Sequence, residues 1–447
     1  MDGGEDSHAR TRAGEAAVLS LGCRLNLAEG EAMRRLAGAA GLADAVIINS
    51  CAVTNEAVRQ TRQQIRRARR ADPAARIIVT GCAAQIDPAS FAAMREVDAV
   101  IGNAEKLRPE EWARLAGGGA RVAVNDIMDV RENAAHLIDG YGDRARAFLQ
   151  VQNGCDHRCT FCVIPYGRGP SRSVSIADAI ASVARLVDAG HAEIVLTGVD
   201  MTSWGSDLDG APRLGRLVAA ILDAVPDLFR LRLSSIDCAE IDPELFERIV
   251  GDARVAPYLH LSLQAGSNLI LKRMKRRHRR EDAVALASSL REKRPAIALG
   301  ADLIAGFPTE SEAMFEETLA LIGEAGVNYV HAFPYSARSG TPAARMPQLD
   351  GRLIAERAQR LRARGAAATA AFLDGLIGLE DDAIVESGGR ARLGNFATAR
   401  IDRQAHRPGA VARLRIIGRE GDTLLAEPVG PADAKKPRLE IASEARL

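Results

Sequence analysis

Short apolar runs rich in β-branched residues alternate with segments of helical spacing along most of this 447-residue chain. Six of these runs fall between residues 147 and 335, and they read FLQVQ, EIVLTG, LFRLRLSS, YLHLSLQ, LGADLIAG and YVHAFPY. Strands buried on both faces of a parallel sheet have this apolar character, and helices connect such strands. The alternation therefore predicts an α/β domain whose parallel sheet is open or curled into part of a barrel.

The segment from residue 17 to residue 102 repeats one pattern three times. The apolar runs AVLSLGC, AVIINSC and RIIVTGC end in Cys23, Cys51 and Cys82, and each is followed by helical spacing, over residues 28–40, 55–70 and 88–96. This pattern predicts a second, open parallel α/β sheet. Because the carboxyl ends of parallel strands share one edge of a sheet, we expect the three cysteines to converge in space.

Changes in composition and residue pattern along the chain predict three domains. Gly117 to Gly119 and the polar stretch from Arg131 to Arg146 are typical of a connection, and an Arg- and Ala-rich helix is expected around residues 350–376. After it, the short runs AIVES, FATARI, AVARLRII and TLLAEP predict a small β-barrel. We therefore expect an N-terminal open α/β domain at residues 16–123, a central partial (β/α)6 barrel at 141–371 and a C-terminal β-barrel at 374–440.

The charge balance excludes a global electrostatic attraction to nucleic acid, because 59 Lys and Arg face 58 Asp and Glu. A nucleic-acid partner must therefore contact a local basic patch. Two segments are candidates: the arginines at 59, 62, 66, 69 and 70, and the run KRMKRRHRR from Lys272 to Arg280. Such segments bind phosphates in some proteins and are merely solvated helix faces in others.

Cysteine usage and hydropathy indicate the compartment. Seven cysteines are too few for a disulfide framework, so metal ligation, catalysis or core packing are the alternatives for them. No apolar run approaches the roughly 18 residues that span a bilayer, and the first residues lack the features of a signal peptide. We expect a cytoplasmic protein with no membrane partner.

The segment NGCDHRCTFCVIPYGRG, after the first strand of the central domain, places Cys155, Cys159 and Cys162 in a CxxxCxxC pattern. Three closely spaced thiolates can hold a 4Fe-4S cluster and leave one iron without a protein ligand. A structural zinc site normally needs a fourth ligand, and we interpret the intervening His157 as a turn residue. The pattern favours an iron-sulfur cluster over structural zinc or core cysteines, while Cys238, outside both sets, is expected to be an idle thiol.

A CxxxCxxC motif in this position resembles the radical S-adenosylmethionine (SAM) superfamily. The upstream segments LGCRLN, NSCAVTNEAVRQTRQQIRR and VTGCAAQ resemble the N-terminal domain of its methylthiotransferases, and GRARLGNFATARI and PGAVARLRII resemble the RNA-binding TRAM domain. The resemblance implies that Cys155, Cys159 and Cys162 hold the catalytic 4Fe-4S cluster that cleaves SAM. It also implies that Cys23, Cys51 and Cys82 hold a second 4Fe-4S cluster.

Residues at the predicted strand ends of the central domain are expected to contact SAM, since such ends face the same mouth as the cluster loop. The candidates are Thr197, Gly198, Asp200, Ser234, Ser235, Gln264, Asp302 and Gly306. For the glycines, a purely structural role in strand-end turns is the alternative.

The resemblance implies a transferase that methylates a sulfur atom with one SAM and uses a second to generate a radical. Within the family, LGCRLN and RLRLSSID look most like the branch that acts on N6-threonylcarbamoyladenosine in the anticodon stem-loop of tRNA, giving its 2-methylthio derivative. An electron donor such as flavodoxin or ferredoxin is implied. The alternatives are a methylthiotransferase acting on N6-isopentenyladenosine or on a ribosomal-protein aspartate, and a non-catalytic iron-sulfur protein that binds RNA or senses redox state.

Overall fold

A computed structural model of the chain describes residues 16–131, 145–403 and 406–429. Residues 141–144 and 430–440 of the expected domains, and most of the expected connection between residues 131 and 146, lie outside these ranges. In the described ranges no helix has the length and apolar character needed to cross a membrane.

The N-terminal domain is a parallel sheet of five strands in chain order. The strands are β1 (Ala17–Ser20), β2 (Ala45–Ser50), β3 (Arg76–Gly81), β4 (Ala99–Ile101) and β5 (Val122–Ala123). The helices are α1 (Arg24–Ala39), α2 (Asn55–Ala71), α3 (Cys82–Ile86), α4 (Pro88–Ala92) and α5 (Pro109–Ala116). Short 3-10 turns occupy Glu105–Leu107 and Ile127–Asp129.

Both faces of this sheet are covered, which explains why its strands are almost continuously apolar. On one face Ile47 packs with Met33 of α1 and Trp112 of α5. On the other face the next residue, Ile48, lies in a cluster with Ile65 of α2. The predicted strands and the double-sided burial are confirmed.

The central domain contains a second set of parallel strands and a short antiparallel pair. Its strands are β6 (Arg146–Gln150), β7 (Gln152–Asn153), β8 (Arg172–Ser173), β9 (Glu193–Thr197), β10 (Arg230–Leu233), β11 (Ser235–Ile236), β12 (Tyr258–Gln264), β13 (Ala298–Ala305) and β14 (Tyr329–Pro334). Its helices are α6 (Ile164–Arg168), α7 (Ile176–Asp188), α8 (Leu214–Ala224), α9 (Pro243–Gly251), α10 (Asn268–Arg273), α11 (Arg280–Lys293) and α12 (Glu312–Glu324). Single 3-10 turns lie at Met201–Ser203, Cys238–Glu240 and Pro342–Arg345.

The six long parallel strands follow chain order around an arc. Strands β6, β9 and β10 pair in one sheet and β11 to β14 in another, and a parallel bridge joins Leu231 of β10 to Val255, three residues before β12. Strands β6 and β14 do not pair with each other, so the barrel is open between them. This arrangement confirms the expected α/β class with a partial barrel.

The C-terminal part consists of α13 (Gly351–Asp374) and a closed five-stranded barrel. The strands are β15 (Glu380–Glu386), β16 (Arg390–Leu393), β17 (Thr398–Arg400), β18 (Val411–Glu420) and β19 (Thr423–Pro428). The small barrel was predicted, but strand β16 was missed. Its sequence RARL carries only two apolar residues, Ala391 and Leu393, and both are buried in the barrel core.

The loop from Gly394 to Phe396 fills the amino-terminal end of the central barrel. The Phe396 ring stacks on Tyr258, the first residue of β12, with ring centroids 4.7 Å apart. The buried Arg232 donates to the carbonyl of Gly394 at 3.0 Å and makes two hydrogen bonds of 2.8 Å to Glu193. The C-terminal barrel therefore closes the bottom of the central barrel, and we call this contact the plug.

Replacing Phe396 with Ala should destabilise the protein by about 3–5 kcal/mol, because a buried aromatic ring leaves a cavity that the surrounding strands fill only in part. Ile417→Ala is the control, since Ile417 is 56% exposed on β18 of the same small barrel. Chemical denaturation of both variants measures the difference. Equal midpoints for the two variants would show that the plug does not stabilise the barrel.

Candidate active site

The loop that carries Cys155, Cys159 and Cys162 is fixed to the barrel at several points. A Cβ atom on Gly154 would lie 1.8 Å from the carbonyl oxygen of Pro170, so only glycine fits where the loop begins. In the middle of the loop, Thr160 donates its backbone N–H to the carbonyl of Met274 at 3.1 Å and its hydroxyl to that of Arg273 at 2.8 Å. The loop therefore holds its three thiols against the end of α10.

Polar groups surround the sulfur atoms of this loop. The Cys155 Sγ lies 3.6 Å from Oδ2 of Asp200, and Arg276 points a guanidinium nitrogen at the Cys159 Sγ from 3.7 Å. Burial raises the pKa of the Cys162 thiol to about 12. These thiols become ligands only when a metal displaces their protons. Arg276 then stabilises thiolate charge on Cys159, whereas burial and the carboxylate of Asp200 raise the pKa of Cys155 and oppose charge there.

His157 does not turn toward the sulfurs as a fourth ligand. Its Nε2 lies 2.8 Å from Oδ2 of Asp200 and 3.8 Å from Glu240. The hydrogen bond to Asp200 is the main reason that the pKa of His157 rises to about 9. At neutral pH the ring is protonated and has no free lone pair for a metal.

The structure brings Cys23, Cys51 and Cys82 together at the carboxyl edge of the N-terminal sheet. Cys23 directly precedes α1, Cys51 follows β2, and Cys82 begins α3. A Cβ on Gly22 would lie 2.7 Å from the Cys51 Sγ, so the first loop passes directly over the second. Burial, together with the charges of the other two cysteines, raises the pKa of Cys51 to about 12.

All seven cysteines are free thiols. Within the described residues, three other groups of side chains bring three ligand atoms within 4.8 Å of one another, as a single ion requires, and neither cysteine set is among them. Three thiols at each place are the ligand set that a 4Fe-4S cluster with one open iron takes.

One side chain of the central domain reaches into the N-terminal set. Arg168, at the end of α6, is 1% exposed and donates from Nε to the Cys82 Sγ at 3.1 Å. Its other nitrogens bond Asn26, at 2.6 Å, and both carboxylate oxygens of the buried Glu29. Glu29 also accepts a hydrogen bond of 2.6 Å from the buried Lys106. We call these residues the Arg168 network.

The Arg168 network keeps the buried carboxylate of Glu29 ionised, although burial alone would favour its protonated form. Burial by itself would raise the pKa of Glu29, but Arg168 and Lys106 reverse this and lower it to about 2. Burial lowers the pKa of Lys106, whereas the pKa of Arg168 lies above its usual range because of the negative charges around it, so Arg168 places a positive charge beside the sulfur of Cys82. Such a setting favours an anionic group held by three thiolates.

Most of the residues expected to contact SAM lie around the mouth of the central barrel. Thr197 ends β9, and the backbone N–H of Asp200 donates to Oε1 of Gln152 at 2.8 Å. Gln264 ends β12 with a φ of 67°, a conformation unusual outside glycine, and Gly306 follows β13 with a φ of 79°. These strand ends lie on the same side of the barrel as the cluster loop.

The remaining candidates have different surroundings. The Ser234 hydroxyl is buried and donates to the Met201 sulfur at 3.3 Å, whereas Ser235 is exposed. A Cβ on Gly198 would lie 2.9 Å from Gln152, so this glycine is required by packing. Asp302 lies inside β13, below the mouth, and accepts hydrogen bonds from two histidines. Their roles toward SAM stay predictions.

Many of the basic side chains proposed for phosphate contact pair within the chain. On α2, Arg59 pairs with Glu56 at 2.6 Å and Arg69 with Asp98 at 2.5 Å. In the Lys272 to Arg280 run, Arg276 binds Asp237 at 2.8 Å and Arg280 binds Glu324 at 2.6 Å. Arg67, Arg70, Lys272 and Lys275 are exposed. The runs thus stabilise the fold, and only part of their charge faces solvent.

Two protein families match the sequence. The Radical SAM superfamily matches residues 149–322, and the Uncharacterized protein family UPF0004 matches residues 15–102.

Three curated relatives cover most of the chain. The threonylcarbamoyladenosine tRNA methylthiotransferase MtaB of Rickettsia prowazekii is 46% identical over 90% of this chain and 95% of its own length. The enzyme of the same name from Bacillus subtilis is 38% identical over 76% of this chain and 78% of its own length. The tRNA-2-methylthio-N(6)-dimethylallyladenosine synthase of Cereibacter sphaeroides is 34% identical over 92% of this chain and 98% of its own length.

Replacing Arg168 with Gln should destabilise the metal-free protein by about 3–5 kcal/mol, because the buried Glu29 keeps its charge and loses its main partner. Chemical denaturation measures the change. Adding Glu29→Gln to this variant should recover part of the loss, since it removes the stranded charge. Arg59→Gln, at an exposed pair on α2, is the control and should leave the midpoint unchanged. An unaltered midpoint in Arg168→Gln would contradict the proposed importance of the network.

Proposed function

Because the chain belongs to the radical SAM methylthiotransferase family, we propose that it converts N6-threonylcarbamoyladenosine in tRNA to the 2-methylthio derivative. The observation that carries the proposal is the 46% identity to a relative named for this substrate, over 95% of that relative's length. Relatives named for dimethylallyladenosine are 34% to 36% identical over most of the chain.

We assign the two cysteine sets to two 4Fe-4S clusters. Cys155, Cys159 and Cys162 would hold one cluster and leave an iron free for SAM, while Cys23, Cys51 and Cys82 would hold the other. The residues present fit these groups. Each set supplies three free thiols, the neighbouring Arg276 and Arg168 donate toward sulfur, and His157 is occupied by carboxylates.

When bound, the clusters and SAM supply methyl transfer to sulfur and removal of hydrogen from an unactivated C–H bond, chemistry that no side-chain acid or base performs. The residues of the chain position these groups. Gln152 accepts the N–H groups of Val199 and Asp200, at 2.9 and 2.8 Å, and so fixes the turn after β9 beside the Cys155 loop. Arg168 fixes the N-terminal cysteine set against the segment that follows Cys162.

The tRNA would approach where the N-terminal domain meets the barrel mouth. The backbone N–H of Asn55, at the start of α2, donates to the hydroxyl oxygen of Ser336 at 3.1 Å, and its side-chain amide donates to the carbonyl of Ala337 at 3.3 Å. These contacts lie beside the open side of the barrel, between β14 and β6. The exposed Arg67 and Arg70 of α2, together with the C-terminal barrel, would contact phosphates. In the cytoplasm, an electron donor such as flavodoxin or ferredoxin would reduce the cluster held by Cys155, Cys159 and Cys162.

Mass spectrometry of tRNA nucleosides tests this proposal in cells that lack the gene. We expect 2-methylthio-N6-threonylcarbamoyladenosine to be absent and to return with the wild-type gene. Cys155→Ala and Cys51→Ala should each fail to restore it, whereas Cys238→Ala, outside both sets, should restore it. Persistence of this nucleoside in the deletion strain would refute the substrate assignment, and loss of 2-methylthio-N6-isopentenyladenosine instead would point to the sibling activity.

A further inference from the structure

The inner wall of the central barrel carries a cluster of polar side chains that has no part in holding the iron-sulfur groups. His260 on β12 and His331 on β14 both bind Oδ1 of Asp302 on β13, at 2.8 and 3.2 Å. The second ring nitrogen of His260 bonds the hydroxyl of Tyr258 at 2.9 Å. The cluster therefore lies directly above the plug and below the barrel mouth.

The strand periodicity fixes the direction in which these side chains point. Leu259 and Leu261 on β12, and Ala301 and Leu303 on β13, lie in the core beneath the helices. The alternate residues therefore face the interior of the barrel. Asp302 pairs with His331 in the sheet register, so both lie on the same inner face.

Gly300 provides the space for this cluster. A Cβ there would lie 2.5 Å from Nδ1 of His260 and 2.4 Å from the hydroxyl of Tyr258. Within the described part of the chain, no hydrogen bond engages Oδ2 of Asp302 or Nε2 of His331. These two side chains are 22% and 30% exposed, so they face an accessible interior and not packed protein.

Both available atoms act as hydrogen-bond acceptors. Asp302 is a carboxylate, and the Nδ1–H of a neutral His331 donates to it, which leaves Nε2 with a lone pair. Burial lowers the pKa of His331, which favours the neutral ring. Strand β14 also borders the open side of the barrel, through which a flipped-out base can enter.

We propose that Asp302 and His331 recognise the ureido N–H groups of the threonylcarbamoyl substituent, an inference that rests on the proposed function. A ureido linkage has two N–H donors, which match two neighbouring acceptors. The charge of Asp302 repels the threonine carboxylate, so that carboxylate must point away. N6-isopentenyladenosine keeps the N6–H but has no second N–H in its substituent, so burying the site against it would leave one of the two acceptors unsatisfied. This assignment gives Asp302 to the substrate and not to SAM.

The test is a binding measurement on the full chain loaded with both clusters, under anaerobic conditions with S-adenosylhomocysteine. The probes are two anticodon stem-loop RNAs with threonylcarbamoyladenosine or plain adenosine at the same position. We expect wild type to prefer the modified RNA and His331→Phe to lose at least about tenfold of its affinity for that RNA alone. His331→Asn, which keeps an acceptor, should recover part of the preference.

Tyr329→Phe is the matched control, because it removes a polar group two residues earlier on the same face of β14. It should keep the preference of the wild type. If His331→Phe weakens binding of both RNAs equally, or of neither, the recognition role is wrong. If wild type itself neither prefers nor modifies the threonylcarbamoyl RNA, the proposed function has failed and this inference falls with it.

Discussion

The buried ion pair between Arg168 and Glu29 determines how the two cysteine sets relate to each other. Neither charge is stable alone in that position, because burying one ion without its partner costs several kcal/mol. Glu29 belongs to the N-terminal domain and Arg168 to the central domain, so each domain satisfies a charge in the other. Since Arg168 also bonds the Cys82 sulfur and follows Cys162 closely in the chain, the same contact sets the distance between the two sets.

The central barrel is covered at both ends by other parts of the chain. The N-terminal domain meets its mouth through Arg168 and Asn55, and the C-terminal barrel closes its bottom with Phe396. Between these two ends, the sulfur atoms of the Cys155 loop lie at the mouth and the Asp302 side chain lies below them, and strands β6 and β14 leave the wall unpaired on one side. This division explains why one chain needs three domains for a single reaction: one supplies the second cysteine set, one the barrel and one the plug.

The fold was largely predictable from the sequence, whereas the contacts between domains were not. Every long strand was found from its apolar run, and the convergence of Cys23, Cys51 and Cys82 followed from the edge rule for parallel sheets. Strand β16 was missed because RARL has no apolar run. Arg168 and Arg276 were not singled out, since a run of basic residues does not show which members turn inward to a buried carboxylate or a sulfur. The GRG sequence around Arg168, which follows the cysteine motif, was the only signal available.

The most direct test of one shared centre is electron paramagnetic resonance of the reduced protein with both clusters assembled. Two control variants would each lack one set: Cys23, Cys51 and Cys82 replaced by Ala in the first, and Cys155, Cys159 and Cys162 in the second. If Arg168 holds the N-terminal cysteine set close to the Cys155 loop, the reduced clusters interact magnetically, and the spectrum of the intact protein differs from the sum of the two variant spectra. A spectrum equal to that sum would show that the cysteine sets do not form one centre.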